Sequence, residues 1–267
     1  MARKQTYRKR HGLQKTGETG TERVMAREEL RKACGEGRVI LIDKPMHWTS
    51  FDVVRKLRGF LQIKKIGHAG TLDPLASGLL IVCTGAFTKR INEFMKQEKE
   101  YTGSFTLGAV TPTYDLESQP ENFRDISQLT ETDIRQACQQ FIGTISQFPP
   151  VYSAIKKEGT PLYELARRGE AVELEARTIT IHEMDITGIE LPLVYFRVVC
   201  STGTYIRSLA HDFGQSLGCG AYLSALRRTR IGDSRVGDAL TPAQLMESWK
   251  EIPVEGAAGN GSPAQNG

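Results

Sequence analysis

The chain has 267 residues and a formal net charge of +4, from 35 Lys and Arg against 31 Asp and Glu. At 39% hydrophobic and 25% charged it reads as a soluble globular protein, long enough to bury a core without disulfides or a structural metal. No apolar run approaches the roughly 20 residues that cross a bilayer, and no apolar segment follows the basic N-terminus as it would in a secretory signal. The five cysteines, Cys34, Cys83, Cys138, Cys200 and Cys219, are scattered without a C-x-x-C pair. That argues against a disulfide framework or zinc site and for a reducing cytoplasm.

Ten Lys and Arg against four Asp and Glu precede Ala33. Residues 1–37 therefore read as a basic, largely disordered arm, with a short helix around residues 25–33. Residues 254–267 read as a flexible tail, which leaves 38–253 as one domain. Within it, RVILID (Arg38 to Asp43) predicts a strand. Ser50 is placed to cap a helix through Leu61, with Val54, Leu57 and Leu61 on one face. Leu79 to Cys83 predicts a buried strand, and Tyr101 to Leu107 alternates like a strand with one face in a core. Thr130 opens a helix whose apolar positions, Ile134, Ala137, Cys138 and Phe141, follow the helical period. Thr160, Pro161 and Gly169 predict the start and end of another helix. Strands are expected near 178–186 and 193–200, a helix from Thr204 to Leu217, and a last helix opened by the capping box Thr241, Pro242, Gln244. Strands and helices interleave without regular alternation, and no G-x-G-x-x-G or Walker loop occurs. The expected class is α+β, a mixed, mainly antiparallel sheet flanked by helices.

One stretch stands out: GHAGTLDPLASG, Gly67 to Gly78. Asp73 is its only fully charged residue at neutral pH. Pro74 forces Asp73 away from helical backbone, and the glycines allow positive φ or close approach. Taken alone, the stretch fits a turn in which Asp73 binds nearby amides. Basic pairs recur at Lys64-Lys65, Lys89-Arg90, Lys156-Lys157, Arg167-Arg168 and Arg227-Arg228 with Arg230. They would make a phosphate-binding surface if they converged.

The stretch resembles the GH-x-G-x-LDP-x-A-x-G motif of the TruB-type pseudouridine synthases. ILIDKP (Ile40 to Pro45), KEYTGSFTLG (Lys99 to Gly108) with T-x-T-x-D at Thr111, Thr113 and Asp115, PPVYSAIKKEGTPLYELARRGE (Pro149 to Glu170) and CSTGTYIRSLAHDFGQSLGCGAYLSALRRTRIG (Cys200 to Gly232) are similar to further blocks of that family, in family order. The resemblance implies isomerisation of an RNA uridine to its carbon-linked isomer on a flipped-out nucleotide. It implies Asp73 as the catalytic carboxylate, Arg207 as its cationic partner and Tyr101 as the ring stacked on the base. Tyr205 and Leu226 would line the pocket, His68 would contact the RNA, and Lys156 would meet a phosphate. No metal and no cofactor are implied.

The implied substrate is the T-loop uridine at tRNA position 55. The implied enzyme is a cytoplasmic monomer with no membrane contact and no obligatory protein partner. Many family members continue into a C-terminal PUA domain. Here the sequence stops soon after Trp249, and the basic arm is expected to compensate electrostatically. Two other readings are weighed: a relative acting on ribosomal RNA with a guide RNA and partner proteins, and an RNA chaperone without chemistry. Lack of a PUA domain argues against the first, and Asp73 with Tyr101 and Arg207 against the second.

Overall fold

The computed structural model describes residues 31–153, 156–157, 160–161, 168 and 174–248. Its strands are β1 (Val39–Lys44), β2 (Ile66–His68), β3 (Ala76–Thr84), β4 (Lys99–Leu107), β5 (Gly143–Gln147), β6 (Lys156–Lys157), β7 (Thr160–Pro161), β8 (Arg177–Glu190), β9 (Leu193–Cys200), β10 (Ala221–Ile231) and β11 (Ser234–Arg235). Its helices are α1 (Ser50–Leu61), α2 (Ile91–Met95), α3 (Glu131–Gln139), α4 (Ile206–Ser216) and α5 (Pro242–Glu247). One nine-stranded sheet runs β1-β3-β10-β4-β9-β8-β5, with β2 added to β3 and β11 to β10. Only β3 and β10 run parallel, so the sheet is mixed and mainly antiparallel, as the α+β expectation requires.

Strand β3 explains why the sheet can carry a site at its centre. Leu80 and Val82 pack with Val53, Val54, Leu57 and Leu61 of α1. Leu79, Ile81 and Cys83 point the other way, into a cluster with Ile231. A strand covered on both faces has no polar alternation, hence the unbroken apolar run. The largest cluster lies around Phe105, Phe196 and Phe213, where α3 and α4 cover β4, β8 and β9. Phe105 and Phe196 stack with centroids 4.2 Å apart.

Several local expectations change. Thr49, not Ser50, caps α1, in a reciprocal box with Asp52. The Ser50 hydroxyl instead accepts from Leu72 N–H (2.9 Å) and donates to Leu72 C=O (3.3 Å), tying α1 to the Asp73 loop. Residues 31–36 are helical and Cys34 is buried against α1, so ordered chain begins before Arg38. Residues 1–30 and 249–267 lie outside the described residues. So does the helix expected from Thr160 to Gly169, except that Thr160 and Pro161 pair as strand with Lys157 and Lys156. Strand β10, at the heart of the sheet, has no counterpart among the expected elements.

Candidate active site

Asp73 lies between β2 and β3, where Ala76 N–H donates to the Asp73 carbonyl (3.1 Å) and closes a tight turn. Gly70 and Gly78 flank the turn at φ +101° and +104°, backbone that other residues rarely adopt. A Cβ on Gly78 would also come within 2.3 Å of the Arg228 carbonyl. The loop is held from outside as well: His47 N–H donates to the Pro74 carbonyl (2.7 Å).

Arg207 enters from the first turn of α4. Its Nε lies 3.0 Å from Asp73 Oδ2 and 3.6 Å from Asp115 Oδ2. The Nε–H lines up with neither oxygen, so these contacts are Coulombic rather than linear hydrogen bonds. Nη1 donates to Thr113 C=O (3.1 Å) and Nη2 to Tyr152 C=O (3.0 Å). The side chains of Arg207 and Asp115 are 6% and 5% exposed, that of Asp73 38%. One cation therefore faces two carboxylates, one sealed in and one open to a ligand. Gln147, itself buried, fixes the entry to α4: its Oε1 accepts from Tyr205 N–H (2.8 Å) and its Nε2 donates to Tyr205 C=O (3.1 Å).

Asp73, Leu75, Ala76, Asp115 and residues 223–226 line a narrow cleft. A wider groove, lined by His47, Trp48, Lys56 and Met246 at α1 and α5, holds none of these groups. The charged constellation makes the narrow cleft the candidate site, whatever the relative sizes.

The other expected site residues fall into place unevenly. Tyr101, on β4, is buried. Burial pushes its phenol up, the neighbouring Arg228 charge opposes that push, and Asp73 adds to it. Tyr205 sits at the N-cap of α4, its phenol also raised by burial, with Arg177 acting against. Leu226 pairs across the sheet with Ala76 and Gly103, which sets it in the cleft wall beside Asp73. His68 is half-buried on β2, its Nδ1 enclosed without a partner. Burial and then the Arg228 charge hold the imidazole below its usual range. Lys156 is described in its backbone alone, paired with Pro161.

The arginines of β10 are each engaged within the protein. Arg227 makes a two-pronged ion pair with Asp43 (2.7 and 3.0 Å), Arg230 bonds Glu98 (2.6 Å), and Arg228 is buried. Asp115, Gln147, Lys44 and Arg228 were not anticipated as site residues. Asp115 and Lys44 stood inside quoted motifs, at T-x-T-x-D and ILIDKP. Lys44 is wholly buried, with Nζ donating to the carbonyls of Pro45 (3.0 Å) and Trp48 (2.6 Å). Burial pulls its ammonium down to about 8, with Asp73 opposing and Arg228 reinforcing. Among the described residues, no three His, Cys, Asp or Glu side chains gather so as to hold a metal ion. No described helix is long and apolar enough to cross a membrane.

Two family profiles match the chain. The TruB family pseudouridylate synthase N-terminal domain covers residues 58–206, and the tRNA pseudouridylate synthase B C-terminal domain covers 207–256. Their boundary falls within the first turn of α4, so Asp73 and its partner Arg207 come from different profiles. The tRNA pseudouridine synthase B of Flavobacterium johnsoniae is 54% identical over 220 residues, covering 80% of this chain and 96% of that protein. The protein of the same name from Phocaeicola vulgatus is 50% identical over 226 residues, covering 82% and 96%. Among solved structures, a chain of a Cbf5-Nop10-Gar1 complex superposes with TM-score 0.65 at 33% identity. The match takes in 85% of this chain and 59% of that one, so this chain spans less than two thirds of its length.

Proposed function

The chain belongs to the TruB family of pseudouridylate synthases, and from that premise we propose that it isomerises the T-loop uridine at tRNA position 55 to pseudouridine, with Asp73 as the reacting carboxylate. The observation that carries this reading is the half-exposed Asp73 held at the mouth of a cleft by the buried Arg207. The choice of tRNA rests on curated relatives that carry tRNA in their names and match over nearly their whole length.

The chemistry suits a lone open carboxylate. The bond from ribose C1′ to N1 of the base breaks, and one from C1′ to C5 forms. The C5 proton leaves and N1 ends protonated, so the formula is unchanged and no oxidant or reductant enters the balance. A carboxylate that adds to sugar or base and is later released returns unaltered. Arg207 engages Oδ2, which leaves Oδ1 outside that ion pair for the substrate. The uridine must leave its stack to reach Asp73, and the small side chains of Ala76, Ser224 and Ala225 line the cleft there. In this reading Tyr101 stacks on the base, and Tyr205 and Leu226 line its pocket. His68 contacts the RNA beside the loop, and Lys156 meets a phosphate. The enzyme works in the cytoplasm, as a monomer, without a guide RNA or obligatory protein partner.

The test uses the full chain and a tRNA transcript labelled with tritium at uridine C5. Asp73→Asn should release no tritium while binding tRNA as the wild type does, because the change is nearly isosteric. Near-normal release by the variant would overturn the assignment of Asp73. A wild-type enzyme that acts only once a guide RNA and partner proteins are added would overturn the choice of substrate.

A further inference from the structure

Among the described residues, Arg228 is the largest side chain that is fully buried, 1% exposed. Its guanidinium spreads over backbone carbonyls: Nε donates to Leu79 (2.7 Å), Nη2 to Gly70 (3.1 Å) and Nη1 to Thr71 (3.4 Å). Gly70 and Thr71 precede Asp73, and Leu79 follows it. One planar group thus grips both ends of the Asp73 loop. The backbone of the same residue is the cross-strand partner of Gly78 in β3 and of Tyr101 in β4. The approach to Gly78 is too close for any Cβ there. The Arg228 charge also acts on the buried Tyr101 phenol, opposing the rise that burial causes.

A buried charge is costly unless well bonded, and a lysine of similar reach would put a single ammonium among three carbonyls. The guanidinium offers five N–H groups in a rigid fork, which matches carbonyls arriving from two directions. The Arg228 backbone also bridges β4 at Tyr101 and β3 at Gly78, just beyond the loop of Asp73.

We propose that Arg228 is a positioning residue for the isomerisation, setting the Asp73 carboxylate at a fixed distance and angle from the Tyr101 ring. It touches no substrate; it acts through the loop and through β4. The inference rests on the reading of Asp73 as the reacting group. A shift of about 1 Å in a reacting group can lower a rate about 100-fold without altering ligand affinity.

The test compares wild type, Arg228→Lys, Arg228→Gln and Arg228→Ala as full chains. Single-turnover isomerisation at saturating enzyme, tRNA affinity and the thermal midpoint are measured on each, with Asp73→Asn alongside. The lysine and glutamine variants should isomerise about 10- to 100-fold more slowly than wild type, with affinity within about threefold. Having both guards against one failing to fold. In the alanine variant, millimolar guanidinium should restore part of the rate where urea at the same concentration does not. A role confined to stability predicts instead that the folded variants turn over at the wild-type rate below their melting points. A lysine or glutamine variant within twofold of wild type overturns the proposal, as does loss of rate and affinity in equal measure. If Asp73→Asn keeps its turnover, the reading of Asp73 has failed. If Asp73→Asn is inactive and Arg228→Lys is near wild type, only the positioning role has failed.

Discussion

Arg197 and Arg207 each hold more than one carboxylate, and they do so in opposite surroundings. Arg197, on β9, bonds Glu100 (2.8 Å), Glu183 (2.6 Å) and Asp185 (3.1 Å) on the solvent side of the sheet. It is 31% exposed, and Glu183 and Asp185 are more open still. Arg207 has fewer acidic partners and longer contacts, yet it is almost fully enclosed. By a count of ion pairs Arg197 is the stronger element. In water its contacts are screened, and each long side chain loses conformational freedom in making them. Around Arg207 the low local polarity magnifies every charge left without a partner. The same chemistry therefore joins neighbouring strands at one place and, in the proposed reading, holds the reacting carboxylate at the other.

The sharpest way to break this contrast is to remove Arg207. Arg207→Met leaves the buried Asp115 facing Asp73 with no cation between them, and strips donors from the carbonyls of Thr113 and Tyr152. Unfolding free energy should fall by about 3–5 kcal/mol, and isomerisation should drop by about 1,000-fold or more. Urea denaturation and tritium release check the two. A variant as stable as wild type would mean that the enclosed pair does not obey the rule for buried charges.

Asp115→Asn is the milder version. It keeps the Oδ1 acceptor for Glu117 N–H but takes one negative charge from Arg207, which then serves Asp73 alone. The expected loss is about 10- to 100-fold in rate, with tRNA affinity unchanged. An unaltered rate would show that the second carboxylate is only a structural counter-charge.

The sequence disclosed these groups to very different degrees. Asp73 was legible through the resemblance of the whole Gly67–Gly78 stretch to a family motif; taken alone the residues fit a turn, and the structure shows Gly70 and Gly78 at the positive φ that glycine permits. The helix α3 was legible from Thr130 and its apolar period, and α5 from its capping box, all of them local signals. Strand β10 was not. Its period is hidden by Arg227, Arg228 and Arg230, and only the folded sheet shows that one is enclosed while two pair outward. Basic residues in a row look alike until tertiary contacts sort them. Gln147 carries no sequence signal at all, since its partner Tyr205 is 58 residues away and is met through its backbone.

A third prediction concerns pH. Burial pulls the ammonium of Lys99 down to about 8 from an ordinary 10.5, the Arg228 charge pulling the same way. Below pH 8 the lysine is charged in both folded and unfolded chains and adds no slope. Between about 8 and 10.5 the unfolded chain binds the extra proton, so this group makes stability rise with pH. The buried cysteines act oppositely above their ordinary value of 9.0, because burial raises them, Cys200 to about 11. The lysine contribution is therefore read as a difference. The stability gap between wild type and Lys99→Met should change by about 1–2 kcal/mol from pH 8 to 9.5, in favour of wild type. A constant gap would show that Lys99 titrates normally in the folded protein.

The smallest effect is expected where the ion pairs are most numerous. Burial pulls the Glu100 carboxyl up, but hydrogen bonds from Thr229 and Arg197 outweigh it and hold the group below its usual range. Of the three acids around Arg197, Glu100 is the only one with much burial, so it carries most of whatever the network contributes. Arg197→Met keeps the aliphatic stem that lies along the sheet and removes only the charge. The expected cost is about 1 kcal/mol or less, shrinking further as salt rises past about 0.5 M. Single-turnover isomerisation should match wild type, because neither Asp73 nor Arg207 is touched. Urea denaturation at low and high salt, beside a tritium-release assay, measures both. A loss of several kcal/mol that persists in high salt would put Arg197 in the same class as Arg207, and burial would no longer explain the difference between the two arginines.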